Sequence, residues 1–511
     1  MSTTVPSGVA TPSNARWDRS FFGHPLGLST LFFLEMWERF SYYGMRAILI
    51  YFLTSSAAKG GLGFTDSKAG AVYGLYTAMA YLSCLAGGWI ADLFIGQRRG
   101  VLYGGVLIVA GEFCLMAPST AVFYSGLGLL VAGTGFLKGN ASTIVGKLYP
   151  KGDPRRDAGF SIFYMGVNLG AFLSPIFCGY VGEHYSWRLG FGLCGLGMIA
   201  GVIQYVFTSR FLGDAGLYPS HSDDPAKDRR ARHTALRALG AVGILIALVG
   251  ILSALGVIEL TTTLLSDALG WVLIAISTTV FVWLIFLGDW TPEERRRSTA
   301  ILVLFIGSAL FWATFEQAGS SLSLFAERNT DRHVTGWIAS LLRQNDFPAS
   351  WYQFVQPVFV ILLSPVFAWL WLSLGRREPS SPAKFSFGLF FGGSAFALMV
   401  PAAIIATTGA LAGPFWLVGC YFLQTLGELC LSPVGLSAMS KLAPDRAQGF
   451  MMGLFFVSIS MGNWLAGKAA SLYSSIPLTS LFGYSAVFTI AAALVLVLLI
   501  RPTKKLMGAT N

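Results

Sequence analysis

Charge is what this sequence has least of. Only 12% of its 511 residues are Asp, Glu, Lys or Arg, while 54% are hydrophobic and the mean hydropathy is +0.63. A soluble domain covers its surface with about 25% charged residues, so a string of soluble domains is excluded and the apolar surplus must face lipid. Cysteine is also sparse. Cys84, Cys114, Cys178, Cys194, Cys420 and Cys430 all fall inside apolar stretches, with neither metal-ligand spacing nor a loop framework for disulfides. None of the five histidines (His24, His184, His221, His233, His333) sits in the middle of such a stretch. If protons are handled within the membrane, carboxylates must handle them. Also missing are a His/Asp/Cys cluster in any loop, a phosphate loop and a nucleophile motif, so neither an enzyme nor a bound metal or cofactor is expected. The first twenty residues lack an apolar run, which makes the first long apolar segment the expected insertion signal.

What is present is a succession of long apolar segments. A membrane-spanning helix needs about 20 mostly apolar residues, and on that measure spans fall near 27–53, 70–94, 100–118, 120–146, 158–183, 188–211, 236–257, 267–288, 299–325, 350–374, 385–408, 413–440, 449–474 and 480–500. Fourteen spans put both termini on one side. The net charge of +10 then reports topology before any nucleic-acid partner. Of the 35 Lys and Arg residues, 25 lie on the side of the termini, six lie opposite (Lys59, Lys68, Arg188, Arg328, Arg332, Arg343) and four fall within spans. That bias predicts cytoplasmic termini.

An internal duplication organises these spans. KLYPKGDPRRDAGF at 147–160 and KLAPDRAQGF at 441–450 each carry Lys-Leu-x-Pro, a short basic loop, and Gly-Phe opening the next helix. ADLFIGQRR (91–99) matches AWLWLSLGRR (368–377) more weakly. The expected division is a tail at 1–25, a six-helix bundle at 26–212, a linker with two accessory lipid-facing helices at 213–298, a second six-helix bundle at 299–502 and a tail at 503–511. Two parallel six-helix halves are the plan of the major facilitator superfamily, and GGWIADLFIGQRR (87–99) resembles that superfamily's signature between helices two and three.

Charges within the membrane are costly and mark function or a cavity. In the first span Glu35, Glu38, Arg39, Tyr42 and Arg46 follow i, i+3, i+4, i+7 and i+11, which places them on one helical face. Two acids and two bases on one stripe can also make a purely structural network. Lys138, Glu316 and Glu428 each stand alone on their helices, so each needs a partner from another helix or an altered protonation state. Glu112 is likewise alone, and with no motif around it is assigned to packing. Lys468 lies near enough to a boundary to snorkel.

The run Glu35-Met-Trp-Glu38-Arg39 followed by Phe-Ser-Tyr-Tyr-Gly resembles the ExxER hallmark of the proton-dependent oligopeptide transporters, and FYMGVNLGAF (163–172) is similar to their fifth-helix signature. The resemblance spans about 21–502 and includes the two inserted helices typical of prokaryotic members. It implies an all-α membrane protein of the major facilitator fold, importing di- and tripeptides with protons by alternating access. A monomer in the bacterial inner membrane is expected. By resemblance, Glu35, Glu38, Arg39 and Glu316 take part in proton coupling, and Arg39, Arg46 and Lys138 meet the peptide carboxylate. Asn168 and Glu428 meet the amine, with Gln356 at the position of a family Asn. Tyr42, Tyr43, Tyr81, Trp312 and Trp464 match cavity walls, and Arg46–Glu316 and Lys138–Glu428 are expected gate pairs.

One departure stands out. Where the family carries Asn-Pro, this chain has Gln356-Pro357, so the amide either reaches further into the site or answers a carbonyl freed by the proline. Two competing readings are a carrier of another small anion such as nitrate, and a peptide receptor that transports nothing. The acid at Glu428 and the intact ExxER run favour joint movement of a zwitterion and a proton.

Overall fold

The computed structural model describes residues 18–150, 152–219, 224–342, 344–443 and 448–508. The terminal segment 1–17, Lys151 and the loop 444–447 of the second repeat copy therefore lie outside the described residues. The described chain is helical, with only isolated bridges between extended residues. A helix satisfies its backbone hydrogen bonds within itself, as a chain in lipid requires.

The first half contains α1 (Leu26–Thr54), α2 (Asp66–Ile90, continuing as a π-turn to Ile95), α3 (Gln97–Leu115) and α4 (Thr120–Lys147). It is completed by α5 (Arg156–Ser174, prolonged by a π-turn and Tyr180–His184) and α6 (Trp187–Thr208). The inserted pair is α7 (Pro225–Ala254) and α8 (Thr262–Val282, continuing to Leu287). The second half contains α9 (Pro292–Phe315), α10 (Ser321–Arg328), the short α11 (Gly336–Leu342), α12 (Val355–Leu374) and α13 (Ser381–Thr407). Its last members are α14 (Phe415–Leu442), α15 (Gln448–Ser471) and α16 (Leu478–Met507).

Helix starts follow local chemistry. Thr65 caps α2 through Lys68 N–H, Thr261 caps α8 through Leu264 N–H, and Thr291 with Glu294 forms a capping box over Pro292 at the start of α9. That box starts α9 at Pro292. Among the described residues, eleven helices are long and apolar enough to cross a membrane. Fourteen were expected. The three segments outside that set are α1 and α3, whose apolar runs are broken by charge, and α15.

The halves meet along α2 and α15, where small residues allow close approach. A Cβ on Gly74 would lie 2.6 Å from the Cα of Gly467, and Ser460 donates to the Ala78 carbonyl at 2.7 Å. The inserted helices behave differently from each other. α7 is exposed along most of its length, as a lipid-facing helix would be, whereas α8 buries Leu269, Leu273 and Phe281 and packs against both α2 and α15. α8 is therefore not simply lipid-facing.

The segment expected as one span at 299–325 is broken. A 3-10 turn at Glu316–Gly319 separates α9 from α10. The groups freed there are answered locally: Ser323 donates to the Ala318 carbonyl at 2.8 Å, Ser321 to Gln317 Oε1 at 2.8 Å, and Ser320 N–H to the Gln317 carbonyl at 3.1 Å. Side-chain rescue of this kind is what permits a broken helix at membrane depth.

Candidate functional site

The stripe on α1 forms as its spacing requires. Arg39 is gripped by Glu38 through two guanidinium nitrogens, one at 2.7 Å from Oε1, and its Nε stands 3.4 Å from Glu35 Oε1. All three are buried, and Glu35 Oε2 has no hydrogen-bond partner. The Arg39 guanidinium also lies 4.9 Å from the ring centre of Tyr42 and 5.8 Å from that of Tyr43. Its charge is largely committed to this helix.

Arg46, two turns further on, crosses to the other half. Its Nη2 is 2.7 Å from Glu316 Oε2 and 3.4 Å from the Glu316 carbonyl oxygen, and its Nε donates to the Tyr73 hydroxyl at 2.6 Å. The Nη2–Oε2 contact lies off the hydrogen-bond line, leaving Oε2 without a bonded hydrogen, so charge attraction is what holds the pair. The break after α9 makes this possible by ending the helix at Glu316. Arg46 and Glu316 are thus one of the two expected gate pairs brought together.

The other pair is not joined. The Lys138 ammonium sits 3.8 Å from the ring centre of Tyr81, and Glu428 Oε1 accepts from the Tyr164 hydroxyl at 3.4 Å. Among the described residues neither Lys138 nor Glu428 makes an ion pair. One base on α4 and one acid on α14 are left with an aromatic and a phenol as neighbours.

Asn168 spends its amide N–H on the Tyr164 carbonyl one turn back, at 2.9 Å, which leaves its oxygen to accept. Gln356 Nε2 is buried with no partner, so it does not answer a carbonyl freed by Pro357. Trp312 is buried at the foot of α9 with its indole N–H unpartnered, and the Tyr42 hydroxyl is also unpartnered. Trp464, expected as a cavity wall, is engaged with α8. Its indole N–H donates to the Ser266 carbonyl of α8 at 2.8 Å and its ring lies against Gly270. Lys468, set aside above as a snorkelling residue, is paired with Asp267 of α8. Glu112 is fully buried, with Ser41 donating to it at 2.9 Å.

Three features escaped the sequence reading. Tyr73 lies two turns before Tyr81 on the same face of α2, and that i, i+8 spacing was the available signal. Tyr164 is the tyrosine of the fifth-helix motif itself, one turn before Asn168. The third is a set of ties between the halves at the end away from the termini. Arg328 meets Asp66 at 2.7 and 2.9 Å, Glu183 accepts the N–H groups of Ala349 and Ser350 at 3.0 and 2.7 Å, and Tyr51 donates to the Ser323 carbonyl at 3.1 Å. Nothing in local sequence announces these long-range contacts. At the end nearer the termini, Asp92 accepts from Gln97 at 2.6 Å and Gln97 from Lys147 at 2.7 Å, joining the signature of helices two and three to α4.

A sequence profile described as the POT family matches residues 98–490. The chain is 38% identical over 521 residues to a protein of Yersinia enterocolitica named peptide transporter YePEPT, covering 98% of this chain and 99% of that one. It is 35% identical over 500 residues to a di-/tripeptide transporter of Lactococcus lactis subsp. cremoris, covering 96% and 98%. Its fold superposes on a crystal structure of peptide transporter POT in complex with sulfate at a TM-score of 0.89, with 41% identity over 98% of this chain and 100% of that one. A POT family transporter in complex with 5-aminolevulinic acid gives 0.86, with 32% identity over 95% and 98%.

Proposed function

The chain belongs to the POT family of transporters, and on that premise we propose that it is a multi-pass bacterial membrane symporter that imports di- and tripeptides together with protons. The observation that carries the site assignment is the unjoined pair. Lys138 and Glu428, from opposite halves, each lack an ionic partner, while Arg39 and Arg46 are already occupied by Glu38 and Glu316. Every small peptide offers one carboxylate and one ammonium whatever its side chains. A base and an acid held apart read those two ends, and the Asn168 oxygen adds a neutral acceptor beside Tyr164. Tyr43 and Tyr81 leave the rest of the ligand to non-directional contact.

The Arg46–Glu316 pair supplies the proton-sensitive element. Breaking a buried pair by removing one partner's charge costs about 3–5 kcal/mol, so a proton on Glu316 releases the attraction that holds α1 to the second half. The halves then part at the outer end only if ligand and proton together replace what is lost. The excess of Lys and Arg at the end bearing the termini supports cytoplasmic termini in the inner membrane, with one chain sufficient for the pathway.

The test is uptake of labelled dialanine by proteoliposomes with and without an inward proton gradient. Accumulation that requires the gradient is expected. Binding with no flux would sink the transport reading and favour a receptor, and uptake of nitrate displacing dialanine would reassign the substrate.

A further inference from the structure

Tyr73 is fully buried on α2, and its hydroxyl oxygen is the neutral partner of Arg46 Nε, at 2.6 Å. Facing it is the broken end of α9. A Cβ placed on Gly319 would lie 2.6 Å from Arg46 Nε and 2.9 Å from Tyr73 Cζ. Gly319 is needed here for the space it leaves. The guanidinium and the phenol occupy a slot that any side chain at 319 would fill.

We infer that Tyr73 and Gly319 form a neutral cradle that keeps Arg46 in place when Glu316 takes up a proton, making Tyr73 a positioning residue of the gate. The inference rests on the transport reading above. Protonation of Glu316 removes the only carboxylate paired with Arg46 among the described residues. A buried guanidinium without a counter-ion then depends on hydrogen bonds. The other ionisable groups facing it are Tyr42 and Tyr43 of α1, Tyr81 of α2 and Tyr421 of α14, with Glu428 of α14 beyond Tyr43. None of these is within bonding distance of Arg46, and Glu428 is engaged with Tyr164. A phenol ordinarily ionises near pH 10, so Tyr73 stays neutral across the range in which a carboxylate gate works, and its bond to Arg46 survives the proton.

Removing the Tyr73 hydroxyl weakens Arg46 in both states, but more in the protonated one, where the carboxylate is already lost. More acid is then required to open the gate. For Tyr73→Phe, the pH midpoint of gradient-driven dialanine uptake should move to lower pH by about half to one unit, since a charge-assisted hydrogen bond is equivalent to about one to two pH units. Gly319→Ala, which crowds Arg46 Nε, should move the midpoint the same way. In a Glu316→Gln background, where gradient-driven accumulation is lost, Tyr73→Phe should leave the pH dependence of dialanine binding to the purified protein unchanged. If Tyr73→Phe proves too slow for uptake, the pH dependence of dialanine binding to the purified protein gives the same midpoint. An unchanged midpoint with a uniformly lower rate would make Tyr73 a packing residue and overturn the inference. Wild-type protein showing no gradient-dependent uptake would instead overturn the transport reading.

Discussion

Glu316 is the residue whose chemistry is most exposed to test, because one substitution removes its charge and keeps its shape. Glu316→Gln should abolish gradient-driven accumulation of dialanine while sparing exchange of labelled for unlabelled peptide across the membrane; full concentrative uptake by the variant would show that the coupling proton sits elsewhere. Lys138 and Glu428 make a second, separable prediction. With each charge-assisted bond contributing roughly 1.5–3 kcal/mol, Glu428→Gln should weaken free dipeptides about ten- to a hundredfold and N-acetylated ones far less, and Lys138→Ala should spare C-amidated peptides most. Equal losses for all three ligands would assign these residues to the gate. Gln356 belongs to the same scale. Its Nε2 has no protein partner, so its extra methylene carries an unengaged amide about 1.5 Å beyond where an Asn would end. If the amine subsite lies between Gln356 and Asn168, that reach shortens its distance to the basic end. Dialanine should outcompete trialanine, and Gln356→Asn should move the ratio toward trialanine. An unchanged ratio with lower thermal stability would make the amide structural.

Helices were legible from apolar length and terminal charge because lipid leaves a chain few alternatives, and the α1 stripe was legible because periodicity alone puts Glu35, Glu38, Arg39 and Arg46 on one face. Other features were not. The break at Glu316–Gly319 falls in the polar run Glu-Gln-Ala-Gly-Ser-Ser, which a length-and-hydropathy window across 299–325 averages away, and its partners Arg46 and Tyr73 come from other helices. Trp464 fits the family pattern for a cavity wall, but periodicity gives a face and not what covers it, and the cover here is α8. The consequence is measurable. Trp464→Phe removes one indole hydrogen bond to Ser266, worth about 0.5–1.5 kcal/mol, so it should lower the melting temperature in detergent without changing dialanine affinity; a change in affinity with unaltered melting would return Trp464 to the ligand site. The loop between α4 and α5 gives a pH control. Hydrogen bonds from Arg155 hold the Asp153 carboxyl below its usual range. The folded value being depressed, this tie is fully present above the ordinary aspartate range near pH 4 and is lost only as pH falls further. Asp153→Asn should therefore leave the pH profile of uptake between pH 5 and 7 unchanged, which separates that loop from the Glu316 gate.

At the scale of the whole molecule the two halves are tied at one end. Arg328–Asp66, Glu183 on the backbone N–H groups of Ala349 and Ser350, the Trp351 indole N–H on the Ile176 carbonyl and the Tyr51 hydroxyl on the Ser323 carbonyl all join the first half to the second away from the termini. Like Arg46–Glu316 they join the two halves, so parting the halves at that end must break them together. Arg328 is partly exposed, with a side chain 35% accessible, and solvent screening reduces what its pair contributes. Glu183 is better shielded and satisfies two backbone donors at the start of the helix leading into α12, in the manner of an N-terminal carboxylate cap. An amide at 183 keeps one acceptor oxygen and turns its NH2 toward the other donor, which is left unanswered in the closed arrangement, whereas water can reach it once the end opens. The balance must then shift toward the open form. Glu183→Gln should raise the labelling rate of a cysteine introduced at Ser323, under the seal, by a membrane-impermeant maleimide added outside; Asp66→Asn should raise it less, and the double variant most. The shift should be severalfold, because a population change of tenfold corresponds to about 1.4 kcal/mol, within the range of one charge-assisted bond. Labelling that stays at the wild-type rate in the double variant would mean that Arg46–Glu316 alone holds the outer end shut, and that the surrounding ties follow its movement without setting it.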